Sequence, residues 1–233
     1  MTIPADKILY GSLIGAALLL TRVPYIGKFF RLIDTLIHES AHALMALVFS
    51  GSVDRIDLFA NTEGQAVTRS KGKFAWIMIL LAGYIGSSLV AFLLFLLLSR
   101  GHFDFTLYFF IAVCVINLVL WVRNGYGIFF LLIFGSLCGA TAYAAIPLLT
   151  KCVTILFCSL LWMDALVSSA IVLYLSIAQT KNSGDAWGLK QSTKIPALFW
   201  GLLFFVQASA FSYLTLAIYF PFPLPEWLEF LRI

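Results

Sequence analysis

The segment DTLIHESAHALMAL (residues 34–47) places two histidines, a glutamate and an aspartate in an otherwise apolar run. His38 and His42 are four residues apart, so on an α-helix their side chains share one face, about 6 Å apart. Together with Glu39 they form the pattern HExxH, in which both imidazoles bind one metal ion. The glutamate is rotated by about 100° from the first histidine and can act on a water held by the metal. The segment therefore predicts a metal site on a helix.

The composition predicts a membrane protein. Hydrophobic residues make up 62% of the 233 residues, charged residues make up 11%, and the mean hydropathy is +0.99. Soluble domains are about 45–50% apolar and about 25% charged. We expect a single all-α polytopic domain over residues 1–233 with about six to seven transmembrane helices. The predicted spans are approximately residues 8–21, 32–50, 74–99, 106–122, 126–149, 152–178 and 195–220.

Two longer connections interrupt the apolar runs. GSVDRIDLFANTEGQAVTRSKGK (residues 51–73) alternates in polarity on both sides of the turn residues NTEG, which predicts a small β-hairpin directly after the HExxH helix. TKNSGDAWGLKQSTK (residues 180–194) is expected to be a polar loop. The net charge of +4 comes from short loops without a basic cluster. This balance suits a lipid bilayer and indicates no nucleic-acid partner.

A catalytic zinc site normally needs a third protein ligand besides two histidines. Zinc suits a set of two imidazoles and a carboxylate. Asp164 is the first candidate, because it is the one carboxylate in the apolar run FCSLLWMDALVSSAIVLYLS and needs a partner there. Asp185, in NSGDAWG, is the reserve candidate, although turn or N-cap chemistry fits it equally well. His102 is expected to be a solvated residue at the membrane interface.

Two further polar residues each fit two roles. Asp34 lies one turn before His38, where it would either orient the imidazole or cap the start of the helix. Asn117, in VINLVLW, would either stabilise charge on a substrate carbonyl or form hydrogen bonds between helices.

The HESAH helix, the hairpin after it and the aspartate in a later span resemble the site-2 protease-type intramembrane zinc metalloproteases. The resemblance is closest to the compact bacterial branch of that group. LLAGYIGSSLVAFLL, LWVRNGYGIFFLLIFG, MDAL and SGDAWGLKQSTKIPALFWGLLF are similar to its glycine-rich, Arg-Asn-x-x-Gly, Asp-Ala and Ser-Asp-Ala-like blocks. WMDALV differs from the Asn-Pro-Asp-Gly or Leu-Asp-Gly motif that carries the third ligand in better-known members.

The resemblance implies a multi-pass zinc-dependent metalloendopeptidase in the bacterial inner (cell) membrane. Its Zn²⁺ would be held by His38, His42 and Asp164, with Glu39 as the catalytic base. The substrate would be a membrane-spanning or membrane-anchored protein, and the hairpin would hold its unwound segment as an added strand. The alternatives are a catalytically inactive membrane binding protein and a transporter of metal or solute. The intact Glu39 disfavours the first, and the lack of an internal repeat disfavours the second.

Overall fold

The chain is mostly helical, and a computed structural model describes residues 5–220, 222 and 224–231. In these residues the elements are α1 (Ala5–Leu20), α2 (Ile26–Val48), β1 (Ser52–Leu58), β2 (Gly64–Arg69), α3 (Lys73–Ser99), α4 (Phe103–Leu120), α5 (Gly125–Ala144), α6 (Pro147–Ala178), α7 (Asp185–Thr193) and α8 (Ala197–Tyr219). The prediction of an all-α polytopic membrane protein with a small hairpin after the HExxH helix is confirmed.

Within the described part of the chain, five helices are long and apolar enough to cross a membrane, namely α3, α4, α5, α6 and α8. The expected six to seven spans also include α1 and α2. The first of these has 16 residues, and α2 carries Lys28, Arg31, Asp34 and Glu39. Helix α2 packs against α3, α6 and both strands. Asp34 and Glu39 are buried between these elements, whereas Lys28 is exposed.

The two strands pair in an antiparallel hairpin, with Ile56 opposite Ala66. The other edge of β1 is bound by the connection between α4 and α5. The Ile56 N–H donates to the Trp121 carbonyl at 2.8 Å, and the Arg123 N–H donates to the Ile56 carbonyl at 3.3 Å. Strand β1 is therefore central, and β2 forms the outer edge of this small sheet.

The Asn124 side chain adds two hydrogen bonds to the same edge of β1. Its Nδ2 donates to the Leu58 carbonyl at 2.5 Å, and its Oδ1 accepts the Leu58 N–H at 3.0 Å. The Arg-Asn pair of RNGYG thus fixes the position of the hairpin. The Asn124 side chain can do this because a primary amide, like a peptide group, has one donor and one acceptor side by side.

The expected polar loop at residues 180–194 is wrong in part, because it contains a short 3₁₀ turn at Thr180–Asn182 and the helix α7. Ala186 and Leu189 are fully buried and pack in a cluster with Leu80 and Phe204. Residues three apart share a helix face, so these two apolar side chains pack together and hold the short helix α7 in place. Helix α7 is held against α3 and α8, with its first residue facing α2.

Candidate metal centre

The two histidines of HExxH converge on one point. The Nε2 atoms of His38 and His42 are 3.0 Å apart. The Nδ1 of His42 lies 2.6 Å from the Ile79 carbonyl oxygen. Because a carbonyl oxygen can only accept, Nδ1 carries a proton, and in the neutral ring Nε2 therefore presents a lone pair. A histidine oriented in this way by a backbone carbonyl is the usual arrangement for a metal ligand.

Asp185 brings a carboxylate to the same point. Its Oδ2 lies 3.3 Å from His38 Nε2 and 3.2 Å from His42 Nε2. Among the described residues, this is the group of three or more potential ligands whose donor atoms all lie within 4.8 Å of one another. Burial acts to raise the pKa of Asp185, but the adjacent His42 and His38 outweigh burial and hold that pKa below its ordinary value. The charges that lower this pKa are protonated imidazoles, and a metal cation would take the place of those protons.

The spacing of the three atoms fits a zinc ion. Ligand atoms at about 2.0–2.1 Å from a tetrahedral zinc are about 3.3 Å from one another, and here the separations are 3.0, 3.2 and 3.3 Å. Asp185 Oδ2 is buried and, within the described ranges, accepts no hydrogen bond. Facing lone pairs repel unless a cation lies between them, so the chemistry of this donor set suits a metal.

Asp164, the first candidate for the third ligand, is not part of this group. Its Oδ1 accepts a hydrogen bond from Arg31 Nε at 3.1 Å. A carboxylate inside a membrane-spanning helix does need a partner, and the partner of Asp164 is the guanidinium of Arg31 from α2. The structure therefore corrects the expected grouping, since it brings the reserve candidate Asp185 to the histidines.

Glu39 is held beside the histidines by the hairpin. The Ala66 N–H donates to Glu39 Oε2 at 2.6 Å, and the glutamate is 6% exposed. A Cβ on Gly64 would lie 2.8 Å from Glu39 Oε1. The absence of a side chain at Gly64 thus keeps the second carboxylate oxygen accessible, while the first is fixed by β2.

Gly83 is a site residue that motif analysis does not single out. It belongs to the glycine-rich block of α3, and a Cβ there would lie 2.5 Å from the Nε2 atoms of both His38 and His42. No real Cβ approaches a nitrogen so closely, so only glycine lets α3 pass over the histidine pair. The signal in the sequence was the run of small residues, which cannot by itself show what it packs against.

The Gly83→Ala variant is expected to lose zinc and activity together, because the added methyl group displaces the imidazoles. We expect zinc affinity to fall by at least the roughly 10–100-fold typical of disturbed ligand orientation. Metal content and thermal unfolding in detergent measure the effect. The matched control is Gly139→Ala in α5, where a Cβ meets nothing within 4 Å. Unchanged zinc affinity in Gly83→Ala would contradict this packing.

The remaining polar candidates lie outside the cluster. Asp34 is well inside α2, so it does not cap the helix, and its Oδ2 accepts the Ser168 hydroxyl at 3.1 Å. Asn117 Nδ2 donates to Ser40 Oγ at 2.9 Å, which is the predicted bonding between helices. His102 is exposed before the start of α4, as expected.

A cavity of about 590 Å³ opens onto the cluster. The histidines and Glu39 line it from α2, Asp185 lines it from α7, and the edge of β2 lines it at Gly64 and Ala66. The site therefore combines a buried metal-type donor set, an adjacent carboxylate and space for a peptide-sized ligand.

The fold and the cluster together define a helical membrane protein with an HExxH metal-type site. A family model described as Peptidase M50B-like matches residues 12–215. The chain belongs to this family, and the predicted resemblance to site-2 protease-type metallopeptidases is confirmed. No curated protein and no solved structure matches the chain.

Proposed function

We propose that the protein is an intramembrane zinc metalloprotease that hydrolyses peptide bonds of membrane-spanning or membrane-anchored proteins. The observation that carries this proposal is the convergence of three lone-pair atoms, from His38, His42 and Asp185, within 3.3 Å of one another. Membership of a metallopeptidase family supports it. On the strength of the resemblance to the bacterial branch, we place the enzyme in a bacterial cell membrane.

In this mechanism His38, His42 and Asp185 would hold the zinc ion. When bound, zinc supplies the Lewis-acid chemistry that polarises a peptide carbonyl and acidifies a water molecule. Glu39 takes a proton from the attacking water at its accessible Oε1 and passes it to the leaving amine. The Ala66 N–H donates to the other oxygen of Glu39, so Oε1 is the oxygen that takes up and releases the proton.

The edge of β2 is suited to hold the substrate in an extended form. Both the N–H and the C=O of Ile56 bond to the connection between α4 and α5, away from β2. Its partner Ala66 is therefore in a pair without ladder hydrogen bonds, and the peptide groups of Ala66 point away from β1. The bond from the Ala66 N–H to Glu39 agrees with this orientation. Because Gly64, Ala66 and Thr68 line the cavity, a locally unwound substrate could add there as a strand that bonds to the Ala66 carbonyl, while the Ala66 N–H stays on Glu39.

Metal removal tests the proposed function. Protein purified in detergent should carry about one zinc ion per chain, since one donor set is present. Dialysis against a chelator should abolish cleavage of a membrane-anchored reporter, and added Zn²⁺ should restore it. A protein that retains zinc and cleaves no membrane-anchored reporter would instead be an inactive binding protein. Metal flux into proteoliposomes without cleavage would indicate a transporter.

A further inference from the structure

Two buried carboxyl groups lie between α2 and α6, and the metal centre uses neither. Asp164 accepts a hydrogen bond from Arg31 at 3.1 Å, and Asp34 accepts one from Ser168 at 3.1 Å. Asp34 is 6% exposed and Asp164 is 5% exposed. We call these four residues the acidic cluster. An arrangement of this kind is costly to bury and needs full compensation.

The compensation within the chain is incomplete. In the part of the chain that the structure describes, Asp164 Oδ2 is buried and accepts no hydrogen bond, whereas the hydroxyl of Ser87 lies beside the Asp34 carboxyl. Two carboxyl groups also share a single guanidinium, so the cluster can accept one more positive charge when both carboxyls are ionised. A buried carboxylate oxygen without a donor costs free energy. The cluster is therefore prepared for an additional cationic hydrogen-bond donor.

The acidic cluster lines the same cavity as the candidate metal centre. Arg31 and His38 are seven residues apart on α2, which corresponds to about 10 Å along the helix at about 1.5 Å per residue. An extended peptide advances about 3.3 Å per residue. A substrate cleaved at the metal centre therefore reaches the acidic cluster about three residues from its scissile bond.

The direction of β2 decides on which side of the scissile bond this residue falls. In the first half of α2, Thr35 donates to the carbonyl of Thr62, just before β2. One turn later, Glu39 accepts from Ala66 in the middle of β2. The last residue of β2, Arg69, pairs with Ser52, which follows the end of α2. Strand β2 thus runs in the same direction as α2. A peptide added antiparallel to β2 runs towards Arg31, which places the residue on the C-terminal side of the scissile bond.

We propose that the acidic cluster is a specificity subsite for a lysine or arginine side chain of the substrate, about three residues C-terminal to the cleaved bond. This inference rests on the proposed proteolytic function. The ammonium or guanidinium group would donate to Asp164 Oδ2, next to Asp34, and so balance the second carboxylate. Arg31 and Ser168 position these two carboxylates, and the second oxygen of Asp164 is left for the substrate.

The experiment compares membrane-anchored reporters in which lysine, glutamine or glutamate is placed at each of the four positions on either side of the mapped cleavage site. Wild-type enzyme should prefer lysine over glutamine about tenfold in kcat/KM at the third position after the bond, the size of one charge-assisted hydrogen bond. Glutamate should be the poorest residue there. The same substitutions at the other positions should have smaller effects.

Enzyme variants test the same subsite from the protein side. Asp164→Asn should retain zinc but lose most of the lysine-to-glutamine selectivity, and Asp34→Asn, which keeps the Ser168 contact, gives a second test should the first variant fail to fold. Asp104→Asn, an exposed carboxylate at the start of α4, is the matched control. Wild-type cleavage with equal rates for lysine and glutamine at every position would overturn the subsite and leave the protease intact. Zinc-loaded enzyme that cleaves no reporter would overturn both.

Discussion

Replacing Glu39 by glutamine is expected to lower cleavage of a membrane-anchored reporter by about 10²–10⁴-fold, because the general base is lost. The change is nearly isosteric, and the amide oxygen of glutamine can still accept the Ala66 N–H that now binds Oε2 at 2.6 Å. The hairpin should therefore keep its position. Glu39 belongs to none of the three ligating groups that meet at the metal centre, so zinc content should remain at the wild-type level.

The measurement pairs single-turnover cleavage in detergent with metal analysis of the same preparation. Glu226→Gln is the matched control, since Glu226 is exposed near the end of the described chain. Loss of cleavage with zinc retained separates the chemistry from metal binding and excludes a structural role. A Glu39→Gln enzyme as fast as the wild type would refute the proposed mechanism.

The helices could be predicted from the sequence because the signal is local. Apolar runs of membrane-spanning length and the alternation around NTEG each lie within one segment. The predicted spans match the helices to within six residues at every end; the span predicted at 74–99 is α3 at Lys73–Ser99, whereas the one predicted at 32–50 is α2 at Ile26–Val48. Likewise, the relation of His38 to His42 follows from helix periodicity alone.

The third member of the cluster could not be predicted in the same way, because it depends on tertiary packing. Asp164 was favoured since its own segment offers no partner, yet Arg31, 133 residues away, supplies one. Asp185 was placed second because a polar loop also suits a turn or N-cap role. No local pattern showed that Leu189 and Ala186 would pack α7 against α3. The position of Gly83 over both imidazoles is also a contact between two helices. Such contacts decide which polar groups meet, and they leave little trace in one sequence.

Replacing Asp185 by asparagine is expected to cost the most zinc affinity of any single carboxylate change, because it removes the charged oxygen that faces both histidines. The loss should exceed the roughly 10–100-fold that changes around a metal's direct ligands cost, and cleavage should disappear with the metal. Competition with a zinc indicator in detergent measures the affinity.

Asp164→Asn is the matched comparison, since it makes the same chemical change in a residue bound by Arg31. The removal of an ion pair in α6 destabilises the fold to some extent, so thermal unfolding is recorded for both variants. Zinc affinity should separate them even if their stability falls equally, because, of these two aspartates, Asp185 is the one whose Oδ2 lies within 3.3 Å of both imidazole nitrogens. If Asp185→Asn binds zinc as tightly as the wild type while Asp164→Asn loses it, α7 must move away and α6 must supply the ligand in the working enzyme.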